Sequence, residues 1–84
     1  MSNIDEFIKV EYKTYVERWN NYYDNSTELN LLLARESEKI LRILYAIKSD
    51  VNLYDDLGFG IGFAGFLGLL NIEYNSNKKE QVND

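Results

Sequence analysis

Several residues in this sequence have types and spacing that could do chemistry. Gly60-x-Gly62-x-x-Gly65 has the spacing with which backbone amides cradle a pyrophosphate at a helix start. That fingerprint needs a strand before it and a crossover to a second strand after it, and only a short polar stretch follows Leu70. The glycines therefore read as packing residues. Glu36 is an acid set among the large aliphatic residues of its segment, where burial would raise its pKa and suit it to proton transfer. The chain has no histidine and no cysteine, so Glu36 has no nucleophile or imidazole to work with. Glu6 and Glu11 are its possible acidic mates, and a part in setting helix register suits it better than a minimal enzyme. Asp55-Asp56 lacks the rest of a calcium loop and reads as a helix cap.

Tyr12, Tyr15, Trp19, Tyr22 and Tyr23 are aromatics that could stack on a base or nucleotide, with Lys13 and Arg18 beside them to meet a phosphate. The same stripe also suits a core edge or a half-wet interface, because phenol hydroxyls and an indole N–H tolerate partial burial. Tyr12, Tyr15, Arg18, Trp19 and Tyr22 are thus the candidate contacts for a ligand or partner.

The elements that must position these residues are helices. Ile4, Ile8, Tyr12, Tyr15, Trp19 and Tyr22 step by fours and threes, which predicts an amphipathic helix over Ile4–Asp24, capped at Ser2 or Asn3 with Glu6 closing a capping box. Asp24-Asn25-Ser26-Thr27 breaks it, and Asn25 with Glu28 suits a second capping box. The next helix runs to about Ser49, with Leu29, Leu32, Leu33, Ile40, Ile43, Leu44 and Ile47 on the side expected to face the core, interrupted by Glu36. So short a connection predicts an antiparallel helical hairpin. Residues 50–56 read as a connector and residues 75–84 as a polar, solvated tail following a single helical domain over 1–74.

All five glycines lie in Leu57–Leu70. On a helical wheel Phe59, Phe63 and Phe66 fall on one side while Gly58, Gly62 and Gly65 line another, which predicts a third, Gly/Phe-rich helix. Glycine costs about 1 kcal/mol in a helix interior relative to alanine, so close approach of a neighbour is expected to offset it. These six residues are the candidate oligomer or packing interface. The segment resembles, over about a dozen residues, the Gly/Phe-rich fusion peptides of viral envelope glycoproteins, a likeness of composition from which no function is carried over.

Size and charge narrow the function. A chain of 84 residues buries only about 60–65% of the surface it exposes when unfolded. Without cysteine or histidine it lacks disulfides and the usual structural zinc ligands, which leaves self-association to complete the core. A net charge of −5 with acids and bases interleaved argues against nucleic acid as a partner. The N-terminal stretch does not read as a secretory signal, and Leu57–Leu70 would reach about 21 Å as a helix against a hydrocarbon thickness of ~30 Å.

The expectation is an all-α, acidic, cytoplasmic protein: an antiparallel helical hairpin plus a third Gly/Phe-rich helix, completed by homo-oligomerisation. It is expected to bind rather than catalyse, without cofactor or metal. An inhibitor or sequestering factor of the phage or mobile-element kind, directed at a host protein or a small nucleotide-like ligand, fits that description. The alternatives are a membrane-active protein that inserts residues 57–70 into a bilayer interface, and a minimal enzyme using Glu36.

Overall fold

The computed structural model describes residues 3–52 and 56–82, with side chains over 3–52 and 60–77. The described residues form three helices, α1 (Asn3–Asp24), α2 (Glu28–Ser49) and α3 (Asp56–Val82). The all-α reading and the helical hairpin with a third helix are thus correct.

Helix α1 begins at Asn3, one residue before the expected start, with Asp5 and Glu6 placing negative charge in its first turn. Its chain reverses through Asn25–Thr27. The cap of α2 is Thr27 and not Asn25: the Asn30 backbone N–H donates to the Thr27 hydroxyl at 3.1 Å. Asn25 instead braces the turn through its carbonyl, which accepts from the Thr27 N–H at 2.8 Å and from the Asn30 side-chain amide at 2.8 Å. At the other end α2 stops on Asp50, whose φ of 53° lies in the left-handed region and directs its N–H back to the Ala46 carbonyl.

Two contacts at opposite ends fix the hairpin as antiparallel. Lys48 pairs with Asp5 at 2.7 Å, and Arg18 donates to the Leu33 carbonyl at 3.1 Å and to the Ser37 hydroxyl at 2.9 Å. Helix α3 then lies obliquely across the pair. Its earlier part meets α2, where Tyr45 lies 5.9 Å from Phe63 and 5.0 Å from Phe66, and the Arg42 guanidinium sits 5.0 Å above the Phe63 ring. Its later part meets α1, through Tyr12 donating to Asn71 Oδ1 at 3.1 Å, the Tyr12–Tyr74 edge contact and the Lys9–Glu73 pair at 3.3 Å.

The core is small. Ile8 and Tyr12 of α1, Ala34, Ser37, Leu41 and Ala46 of α2, and Phe63 of α3 are the buried residues among those described. On α1 the inward side is the one its spacing predicts. On α2 it is not. Leu29, Leu32, Leu33, Ile43 and Ile47 are exposed, and the small residues Ala34 and Ser37 lie inside with Leu41. Glu36, expected buried among those aliphatics, is exposed in the protomer for the same reason. Small residues let two helices approach closely, and on this side Ser37 meets Arg18 of α1 while Leu41 shares the core with Tyr12.

Helix α3 also departs from expectation at its C-terminal end. It continues to Val82 through the stretch read as a polar tail, which contains the good helix formers Lys78, Lys79, Glu80 and Gln81. The Ser2 and Asp55 caps and the connector residues Leu53 and Tyr54 lie outside the described residues.

If close packing selects the inward face of α2, enlarging it must hurt even with a better-packing aliphatic. Ala34→Leu, at a position with 0% exposure, is expected to lower stability by about 1–3 kcal/mol in urea denaturation. An unchanged or raised midpoint would mean the hairpin has room that this packing denies.

Candidate interaction surface

The side of α2 turned away from the core carries the exposed large hydrophobics Leu29, Leu32, Leu33, Ile43 and Ile47. Leu29, Leu33, Ile40, Ile43 and Ile47, with Glu36 in the middle, are spaced by 4, 3, 4, 3 and 4 residues, the period of a two-helix seam. Leu29 is 65% exposed, Leu32 57% and Ile47 64%, while Ile40 within the stripe and Leu44 beside it are half-buried. The stripe spans about 27 Å of helix. Soluble chains seldom leave so continuous an apolar line uncovered.

The protomer as a whole is under-buried. Its accessible surface is 6346 Å², where folded monomers of its 9.9 kDa mass expose about 5200 Å². The radius of gyration, 13.9 Å, likewise exceeds the roughly 12 Å of a compact domain of this length.

Charged residues border the stripe. Glu38 pairs with Arg42 at 3.8 Å, but among the described residues Glu36 and Lys39, on the stripe and at its edge, form no ion pair.

The sequence-derived candidates distribute differently. Tyr12 is buried and holds α3, and Tyr15, Trp19 and Tyr22 are half-buried in a ladder of ring contacts that runs on to the exposed Tyr23. The ladder borders an open groove of about 450 Å³ between α1 and α2, lined by Tyr15, Val16, Trp19, Asn20, Tyr23 and Glu38. The Trp19 indole nitrogen is shielded from solvent and has no hydrogen-bond partner among the described residues. Arg18 turns its guanidinium to α2. Its guanidinium satisfies the buried Ser37 hydroxyl and a carbonyl of α2. No group of three metal-ligating side chains occurs among the described residues.

The glycine face divides. A Cβ on Gly62 would fall on the Tyr45 hydroxyl, so the close approach expected there is met by a side chain of the same protomer. Gly65 faces open space, as do Gly60 and Gly68. Phe63 is buried and Phe66 half-buried against Tyr45. The side chain of Phe59 and the surroundings of Gly58 lie outside the described residues.

Sequence reasoning found the residues of the α2 stripe but assigned them to the core. The small residues Ala34 and Ser37 do recur one turn apart away from the large aliphatics in the sequence, next to a helix whose own stripe is mostly aromatic, but that spacing does not by itself say which side is core.

Burial raises the pKa values of Tyr12 and Tyr15. For Tyr12 desolvation is the main cause, followed by the nearby phenols of Tyr15 and Tyr74. For Tyr15 desolvation again leads, then the Glu38 carboxylate and Tyr23, with Arg42 acting the other way.

Family models, curated proteins and solved structures return no match to this chain, so the reading of its surfaces rests on their geometry.

Two predictions follow from this geometry. Gly65→Ala removes a helix-interior glycine into open space and is expected to add about 1 kcal/mol of stability. Gly62→Ala is expected to gain less or to lose stability, because Tyr45 must move off Phe66, and Gly62→Ala with Tyr45→Phe should recover part of the difference in thermal unfolding. Equal responses at the two glycines would contradict the Gly62–Tyr45 approach.

The phenols of Tyr12 and Tyr15 ionise more readily in the unfolded chain, near pH 10, than in the folded one. Their contribution is therefore complete below pH ~10 and lost as pH rises through the raised folded values. Urea midpoints measured from about pH 9 to 12 should fall over that range, and fall less in Tyr15→Phe. A flat profile would show that these rings are not desolvated.

Proposed function

We propose that this chain is a non-enzymatic helical interaction protein whose working form is a homodimer, with the outer face of α2 as the contact between subunits. The single observation that carries this reading is the exposure of Leu29, Leu33, Ile43 and Ile47 at seam-like spacing, with Leu32 exposed beside them.

In such a dimer the aromatic groove of each protomer stays on the hairpin side of α2, since Tyr15, Trp19 and Tyr23 belong to α1. It is left available for a second binding event, with a protein segment or a small flat ligand as the occupant. An inhibitor or sequestering factor acting in the cytoplasm is the role this arrangement would serve. Among the described residues no helix is long and apolar enough to cross a membrane.

Native mass spectrometry and sedimentation equilibrium test the proposal together. The expected result is a dimer that dissociates on dilution. Leu32→Glu and Ile43→Glu should each weaken association roughly 30-fold or more, for a cost on the order of 2 kcal/mol, while far-ultraviolet circular dichroism keeps its helical signature. A monomer at all concentrations, or variants that associate as well as the parent, would overturn the reading.

A further inference from the structure

We infer that the two copies of α2 pair antiparallel about a twofold axis, in the register that sets Leu29 against the second copy's Ile47, Leu33 against its Ile43 and Glu36 against its Ile40. This rests on the homodimer reading above and adds to it the direction and register of the contact.

The argument begins with Glu36, the one charged residue within the seam spacing, exposed in the protomer and without an ion pair among the described residues. In a parallel pair, equivalent seam positions meet one another, so Glu36 would face the same carboxylate of the second copy among isoleucines. Two like charges brought together as water leaves disfavour that arrangement.

In an antiparallel pair, the two classes of seam position alternate across the contact. Centring the stripe on itself then brings Glu36 opposite Ile40 and beside Lys39 of the other copy, twice by symmetry. Lys39 is exposed at the edge of the stripe and also lacks an ion pair among the described residues. The same register matches the most exposed ends of the stripe, Leu29 and Ile47, with each other. A register slipped by one helical turn would leave one of these ends uncovered and carry Glu36 away from Lys39. Opposed helix dipoles favour the antiparallel choice as well.

Glu36 then acts as a register and orientation device. It weakens every pairing except the one that supplies a cation, as single polar residues do in helical seams.

The chain contains no cysteine, so an introduced thiol is unique. Leu29→Cys and Ile47→Cys sit at exposed positions where folding of the protomer does not depend on them. Each variant alone, and an equimolar mixture after subunit exchange, would be oxidised mildly and the products resolved by mass. The expected result is a cross-link between the two variants in the mixture, at least 10-fold more abundant than the self-cross-link of either one alone. Self-cross-linking of Leu29→Cys alone would show parallel pairing, and a dimer that forms neither product would place the contact elsewhere. Either outcome overturns this inference; the first leaves the α2 homodimer standing, and the second removes α2 as its contact. Absence of a dimer in native mass spectrometry of the unsubstituted chain would instead remove both.

Charge exchange gives a second readout. Glu36→Lys and Lys39→Glu should each weaken the dimer about 10-fold, and the double exchange should restore most of the affinity. Additive losses in the double variant would overturn the Glu36–Lys39 contact. Glu36→Leu should associate more tightly yet lose orientation, so that Leu29→Cys made in that background begins to cross-link with itself. Failure of that self-cross-link to appear would deny Glu36 its orienting part.

Discussion

The rest of this structure depends on how closely α1 and α2 can approach. Helix α1 turns Ile8 and Tyr12 fully inward with Tyr15, Trp19 and Tyr22 half-buried beyond them, and small residues on the facing helix let the two backbones come close. Helix α2 has one such side, where Ala34 and Ser37 are fully buried beside Leu41. Choosing that side orients everything else on the helix. The Ser37 hydroxyl comes to lie under Arg18, Tyr45 turns toward α3, and the large aliphatics are left outside.

Helix α3 is held less by area than by a few specific contacts. The Phe63 and Phe66 rings close on Tyr45, Tyr12 reaches Asn71, and Arg42 covers Phe63. Gly62 lets the Tyr45 hydroxyl approach the helix backbone, which accounts for one glycine of the segment. Gly60, Gly65 and Gly68 face open space in the protomer, and nothing in the structure explains their presence. The glycine-rich helix is therefore a partner of the core on one side and an intrinsically weak helix on the other.

Placing the strongest apolar face of a small protein outside its core has a direct consequence for function. The protomer buries few large side chains, and covering the α2 stripe in a second copy would recover apolar burial where the single chain lacks it. A polar residue inside that stripe would cost some of the gain and in return restrict how the copies meet. The aromatic groove between α1 and α2 lies apart from this contact, so association and a second binding event need not compete for the same residues.

The sequence by itself determined the three helices, the position of the turn at residues 25–27, the antiparallel hairpin and the inward side of α1, because apolar periodicity, breaker residues and loop length are local signals. It also held the 4-3 spacing of the α2 stripe and the place of Glu36 within it. Only the tertiary structure decided which of the two sides of α2 is core. Hydrophobicity favours the leucine and isoleucine side, but the side buried in the protomer carries Ala34 and Ser37 with Leu41, where Ser37 meets Arg18 and Leu41 shares the core with Tyr12, and fit is a property of two helices together. The same holds for Gly62 and Gly65, alike in sequence and in helix, of which only Gly62 has Tyr45 across from it.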